Sequence, residues 1–511
     1  MSVADEDDPE DLARRAAADA AEAGRRISAV AVPGEDSDID EDVDEEQTRD
    51  VSHELGRAIL AWHDVDGCPR ERPPRELMAR GTRDLHDRLD VRARADGVAW
   101  LHPKERTIQR DLLGSPEVVA WQEAKAAFLL AGDGAWSELP HLYARYGTPG
   151  TARLIAALRE LEGARCALVT DSGMQAFALV ADVLLEPGAH AVVMRQVYNK
   201  TKTFLAWSAA RVGGAVTLVD DGDLAGLAAA IRPETRLVFA ETFTNPLMRA
   251  QDVPAIAAAV RAAGARARIV IDSTIATPWA FAPGRALLAQ GADVVIGSLT
   301  KALGGRDLAL GGYIATGDGE LGNQLMDLLA MRGGILDDAR ADRLAAGLAD
   351  AERDHARRCA TTVELAAFLA AHPRVEAVYH PSRPDHPDAA AIARAYARTG
   401  SIVSFRVAGA DEARHRHIAD VLVSTGVPRY ALSFDGLATK VNHHRTVSEY
   451  FTPPDALARA GLDRLIRLGV GLEDPADLIA CLGWTLAHEA RVTTADLDAW
   501  RRARAVSLNL R

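Results

Sequence analysis

The stretch ARIVIDSTIATPWAFAPGRALLAQGADVVIGSLTK, residues 267–301, decides the fold. It holds two short runs, ARIVID (267–272) and ADVVIG (292–297), that are apolar at almost every position. Strands of that kind are covered on both faces, which is the mark of a parallel sheet packed between helices. Asp272 closes the first run, while Ser298, Thr300 and Lys301 follow the second. Ligands of such sheets gather at the carboxyl ends of the strands, so these polar residues mark the first place to look for a site.

Working outward, the same texture repeats in CALVT (166–170), HAVVM (190–194), AVTLV (215–219) and RLVFAET (236–242). Helical segments such as VPAIAAAVRAAG (253–264) mostly separate these runs. RLIAALRELE (153–162) sets Leu154, Ile155, Leu158 and Leu161 on one face, with Gly163 as a fitting C-cap. MQAFALVADVLLE (174–186) is a helix stopped by Pro187-Gly188. Beyond about 395 the strand-like runs SIVSFRV (401–407) and RLIRLGVGL (464–472) are split by helices such as DEARHRHIADVLVS (411–424). The expected fold is therefore α/β: a mostly parallel, doubly wound sheet over 140–394 and a smaller α+β domain over 395–511. An acidic, disordered leader (1–50) and a helical extension (51–139), broken at CPRERPPR (68–75), would precede them.

Composition narrows the class. The chain has 511 residues, 48% hydrophobic and 26% charged, enough for a large core and too apolar for wholesale disorder. Its net charge is −14, yet residues 1–50 hold 18 Asp/Glu against 5 Arg, so the leader carries −13 and the body about −1. A neutral body offers no surface for nucleic acid or lipid. The absence of a long apolar run or a basic-then-apolar start points to a cytoplasmic chain. Cys68, Cys166, Cys359 and Cys481 stand far apart, so neither a zinc ribbon nor a disulfide framework is expected.

The 59 basic residues comprise 53 arginines and only 6 lysines. Lys301, in the small-residue loop SLTKALGG, therefore stands out, because an imine needs an amine and a guanidinium cannot form one. Ser172, Gly173 and Met174 lie between the strand CALVT and a helix N-terminus, where free N–H groups and the helix dipole suit a phosphate. A lysine, an acid at a strand end and a phosphate cradle are the parts that pyridoxal phosphate requires. A rival motif, GDGELG (317–322), matches GxGxxG, but the sequence after it offers no second apolar strand ending in an acid. His443 and His444 lack partners at metal-ligand spacing, so no metal is expected.

Seven motifs in order, YARYGTPGT (143–151), TDSGMQA (170–176), VYNKT (197–201), ETFTNPL (241–247), VIDSTIATP (270–278), GADVVIGSLTKALGG (291–305) and LIRLGVGLEDPADLIACL (465–482), carry a family resemblance. The chain resembles the cystathionine γ-synthase/γ-lyase family, the Cys/Met-metabolism branch of fold-type I pyridoxal phosphate enzymes. The resemblance implies that Lys301 carries the cofactor and shuttles protons, and that Asp272 pairs with the ring nitrogen. It further implies phosphate contacts at Ser172, Gly173, Met174, Ser298 and Thr300, a cofactor contact at Thr274, and a ring-hydroxyl partner at Asn245. Tyr198 would stack on the ring and act as acid or base, Arg467 would clamp the substrate α-carboxylate, and Ser433 would be a second contact. Tyr143 and Arg145 look like the pair that the family contributes from a neighbouring subunit, which implies a homodimer assembled into a homotetramer acting on an amino-acid substrate.

Departures from the family pattern fall at the far end of the substrate. Lys200 stands where methionine γ-lyases have cysteine, and Ala438 replaces a glutamate used in distal amino-group recognition. Ala346 and Phe243 replace a usual arginine and proline. The implied chemistry is β/γ-elimination or γ-replacement, with γ-replacement favoured by these departures. A C–S lyase, and a non-catalytic structural or regulatory homologue, stay as alternatives.

Overall fold

The computed structural model describes residues 114–131, 141–264, 266–304, 306–307 and 309–508. The acidic leader and most of the expected helical extension lie outside the described residues. Within that extension, α1 (Ser115–Ala131) is helical. α2 (Pro149–Glu162) starts on a capping box between Thr148 and Thr151 and stops at Gly163, whose φ of 60° is the left-handed C-cap.

Next come β1 (Cys166–Thr170), α3 (Gly173–Leu184), β2 (His190–Met194), α4 (Asn199–Arg211), β3 (Ala215–Val219), α5 (Leu224–Ala230), β4 (Thr235–Glu241), α6 (Val253–Ala262), β5 (Arg268–Asp272), β6 (Val294–Ser298) and β7 (Gly312–Thr316). They form a seven-stranded sheet in the order β1-β7-β6-β5-β4-β2-β3. The β3-β2-β4-β5-β6 block is parallel, whereas β7 runs antiparallel between β1 and β6. β1, β2 and β7 are buried at every residue, as a sheet covered by helices on both faces demands.

α7 (Gly319–Arg332) and α8 (Asp338–Ala371) lead to a second sheet of β8 (Val375–Tyr379), β9 (Ile402–Val407), β10 (Arg429–Tyr430), β11 (Lys440–His443) and β12 (Ile466–Gly469), ordered β10-β11-β12-β9-β8. All its neighbours are antiparallel except β10 and β11. Because β8 pairs with β9, this sheet begins ahead of the expected boundary at 395. VEAVY is only partly buried, so its sequence lacks the apolar run that announces an inner strand.

The 34-residue α8 joins the two layers. Ala341 and Leu344 near its start belong to the core of the large sheet, and Leu365, Ala366 and Leu369 near its end belong to the core of the small one. Among the described residues no helix is long and apolar enough to cross a membrane. The glycines of GDGELG serve packing: Asp318 caps α7 through the Leu321 N–H, and Gly322 lies against Cys166. Since β7 is antiparallel to both its neighbours, β7–α7 is not the parallel unit that a dinucleotide fingerprint needs.

Candidate active site

The carboxyl ends of β1, β4, β5 and β6 open on one cavity of about 560 Å³. Ser172, Gly173, Met174, Tyr198, Asn245, Asp272, Thr274, Ser298, Thr300, Lys301 and Arg467 all line it. Eleven positions spread over almost three hundred residues of sequence thus meet in one space.

Lys301 lies in the turn after β6. That turn rests on α8 where Gly304 and Gly347 meet backbone to backbone, an approach that leaves no room for a Cβ on either. Its Nζ donates to Ser433 Oγ and lies 4.7 Å from the centre of the Phe434 ring. Burial pulls the amine down from 10.5 to about 8, helped by Lys440 and Arg467 and opposed by Asp435 and Asp307. A far larger fraction of this lysine than of an exposed one is therefore neutral near physiological pH, with the ammonium still the major form.

Asp272 ends β5, and its Oδ1 accepts the Thr274 N–H at 2.7 Å. Thr274 Oγ1 in turn accepts the Ser298 N–H at 2.9 Å, tying the ends of β5 and β6 together. Burial pushes the Asp272 carboxyl up. At the mouth of α3, Ser172 accepts the Gln175 N–H. A Cβ on Gly173 would lie 3.0 Å from Ser298 Cβ, so only glycine lets the helix N-terminus come this close to the strand end. The Thr300 hydroxyl is engaged by the Gly311 backbone, donating to its carbonyl at 3.3 Å and accepting its N–H at 3.1 Å.

Arg467, on β12, is only 2% exposed. Its guanidinium donates to Asn245 Oδ1 at 3.2 Å and to the carbonyls of Leu432 and Ser433 at 3.1 Å each. Among the described residues no carboxylate forms an ion pair with it, and its Nε has no hydrogen-bond partner. Burial lowers its affinity for its proton to about 10. A buried guanidinium held only by neutral oxygens is a receptor for an anion.

A family description, "Cys/Met metabolism PLP-dependent enzyme", matches residues 124–487. The chain belongs to this family. Cystathionine gamma-synthase 1, chloroplastic, of Arabidopsis thaliana is 32% identical over 66% of this chain, which spans 58% of that relative's length. The O-succinylhomoserine sulfhydrylase of Pseudomonas aeruginosa is 33% identical over 71% of this chain and 87% of its own. Among solved structures, a cystathionine gamma synthase from Xanthomonas oryzae pv. oryzae in complex with cystathionine has a TM-score of 0.65 and 30% identity, covering 70% of this chain and 90% of its own. The architecture of this Cys/Met-metabolism enzyme is accordingly fold-type I, and its cofactor is pyridoxal phosphate.

The residues present fit that cofactor. The cavity offers a buried, readily neutralised amine, a carboxyl at a strand end, a helix N-terminus shaped by glycine, and an unpaired buried guanidinium. Tyr143 and Arg145 lie elsewhere. Tyr143 caps a short 3-10 turn that contains Arg145, whose Nη1 donates to the Ala330 carbonyl and whose Cζ lies 5.2 Å from the ring centres of Tyr143 and Tyr146. Neither lines the cavity within one chain. Ser433 touches Lys301 without lining the cavity.

Sequence reasoning missed Glu241. It ends β4 directly beside Asp272, lines the cavity, and accepts the backbone N–H of Tyr198 at 2.6 Å. A glutamate closing a buried apolar strand was the available signal. His444, 3% exposed, also lines the cavity, whereas His443 Nδ1 is bonded to Thr446 Oγ1 at 2.8 Å.

Proposed function

We propose that this enzyme catalyses γ-replacement on an activated L-homoserine, exchanging an ester group at Cγ for a thiol nucleophile. The observation that carries the reading is one cavity holding both a buried lysine whose burial brings it down to about 8 and a buried arginine whose guanidinium donates only to neutral oxygens. Pyridoxal phosphate, when bound, supplies an electron sink for charge developing at the substrate α-carbon. Lys301 would carry it, and Ser172, Gly173, Met174, Thr274, Ser298 and Thr300 would hold its phosphate side. Asp272 would face the ring nitrogen and Asn245 the ring hydroxyl.

The remaining work falls to the chain's own side chains. Arg467 receives the α-carboxylate of the amino-acid substrate and fixes its orientation. Lys301, which burial makes give up its proton far more readily than an exposed lysine, accepts the α-proton at Nζ. Tyr198, at the entrance of α4 and 46% exposed, moves a proton at the leaving group. Ser433 steadies the lysine through its hydroxyl. The relatives named cystathionine γ-synthase and O-succinylhomoserine sulfhydrylase support replacement, while those named L-methionine gamma-lyase keep C–S cleavage as the second reading. Lys200 lines the cavity and is where this chain would set its own leaving group and nucleophile, whereas Ala438 does not line it.

Tyr143 and Arg145 would complete the phosphate site of a neighbouring subunit, in a homodimer that pairs into a homotetramer. The described cysteines, Cys166, Cys359 and Cys481, are free thiols, which supports a reducing cytoplasmic setting.

The test is the visible absorption spectrum of the purified protein before and after borohydride, with Lys301→Ala beside it, followed by assays on homoserine esters with and without a thiol. A visible band that borohydride abolishes and the variant lacks, with thiol-dependent ester consumption, is the expected result. A colourless protein that takes up no added cofactor overturns the enzyme reading. Thiol-independent release of keto acid and ammonia makes the chain a lyase instead.

A further inference from the structure

A fully buried aspartate stands behind the two cations of the cavity. Asp435 has no exposed surface and holds a left-handed backbone conformation with φ 60°. Its Oδ1 accepts from the Ser401 hydroxyl, while Oδ2 has no hydrogen-bond partner. A carboxylate with a bare oxygen in the interior is unfavourable unless opposite charge offsets it.

The loop that carries Asp435 touches both functional cations. Lys301 donates to Ser433 Oγ, and Arg467 donates to the carbonyls of Leu432 and Ser433. The Phe434 ring lies 4.7 Å from Lys301 Nζ and 5.7 Å from Arg467 Cζ, so one ring spaces the two charges. From the other side, Arg358 on α8 donates to the Gly436 carbonyl at 3.0 and 3.3 Å. The Lys440–Asp307 ion pair packs on Gly436 so closely that a Cβ there would lie 2.7 Å from Lys440 Nζ. Four cations, Lys301, Arg467, Arg358 and Lys440, thus act on Asp435. Further ionisable neighbours of this assembly are Asp307, the Cys359 thiol, His444 beside Arg467 and His355 beside Arg358.

We propose that Asp435 is a positioning residue, the fixed counter-charge of Lys301 and Arg467, held in place by a strained loop that links both. Burial pushes the Asp435 carboxyl up, while Arg358, the Ser401 hydroxyl, Lys301 and Lys440 pull it down. The anion these partners hold favours the protonated amine of Lys301 and counteracts the opposing influence of Lys440 and Arg467. Without it, Lys301 faces two cations balanced only by Asp307 and gives up its proton at lower pH.

The inference takes Lys301 to be the cofactor lysine, as read above, but its test does not need the cofactor. Lys301 in the cofactor-free full chain is modified with an amine-selective reagent across pH, and its peptide is quantified by mass spectrometry. The expected midpoint is near 8 in the native chain. Asp435→Asn keeps the shape and suits a left-handed backbone. It should lower the midpoint by half a pH unit or more, about a threefold change in the amine/ammonium ratio at fixed pH. Asp435→Gly relieves the backbone and also removes the charge, so it must shift the midpoint the same way even if the asparagine variant folds poorly. Ser401→Thr, which keeps both the hydroxyl and the charge, should leave the midpoint in place. An unchanged midpoint in a folded, neutral variant overturns the proposal. A native chain that fails to take up cofactor on Lys301 overturns the functional reading alone.

Discussion

Glu241 and Asp272 face each other as register partners at the ends of β4 and β5, two carboxyls on one wall of the cavity. Burial pushes both up, and the charge of Asp272 pushes Glu241 further. The pair therefore favours holding a proton between its members, while Glu241 anchors the chain before α4 through the Tyr198 N–H.

Glu241→Gln keeps an oxygen to accept from Tyr198, whereas Glu241→Ala removes the anchor. The glutamine variant should stay within about threefold of native kcat/KM, and the alanine variant should lose tenfold or more, about the worth of a buried charge-assisted hydrogen bond. Steady-state kinetics at saturating cofactor would separate them. Equal losses in both variants would show that the carboxyl charge matters rather than the anchor.

Arg467→Lys keeps the charge but cannot reproduce donation to Asn245, Leu432 and Ser433 from one planar group. KM for the amino-acid substrate should rise roughly a hundredfold, consistent with loss of a bidentate carboxylate contact. Tight cofactor binding should persist, which spectrophotometric titration would check.

Gly173→Ala places a methyl 3.0 Å from Ser298 Cβ and 3.2 Å from its Cα, both parts of the strand-end framework. Affinity for the cofactor should fall by about tenfold or more as α3 is pushed from the strand end. Equilibrium dialysis reads this directly. Undiminished affinity would mean that the helix N-terminus does not cradle the phosphate.

Glu162 lies buried in the core and accepts from the Tyr313 hydroxyl at 2.5 Å. Burial raises its carboxyl from 4.5 to about 7, with the tyrosine bond opposing. For a carboxyl with a raised folded value, the stability contribution is complete below 4.5 and is lost as pH climbs through about 7. The loss is on the order of 3 kcal/mol. Glu162→Gln should flatten this part of the Tm-against-pH curve between pH 5 and 8, while the native chain falls over the same range.

Much of the large sheet was legible because its strands are short, apolar on both faces and separated by helices with clear stops. CALVT, HAVVM and AVTLV coincide with β1, β2 and β3 residue for residue. The direction of β7 was not legible, since an antiparallel strand buried on both faces has the same composition as a parallel one. β8 was missed because its half-buried residues give no clean period. Lys301 could be singled out because lysine is rare in this chain and a Schiff base needs an amine. Glu241 carried the same strand-end signal as Asp272 and was passed over, whereas Asp435 could not be singled out, because its environment comes from Ser401 and Arg358, dozens of residues away.

The long helix α8 sets a ruler between the two ends of the substrate. The turn bearing Lys301 rests on its early part at Gly347, and its final turns lie in the core of the sheet that bears Arg467. A continuous helix of 34 residues, ~50 Å long, is a stiff strut. The gap between the amine end and the carboxylate end is thereby built like a caliper with its jaws locked, fitted to the one part that all L-amino acids share. Residues around the open side, Lys200 among them, can then change from one descendant to another without loosening that grip. A lineage could move to a new side chain by redecorating the rim of the cavity alone.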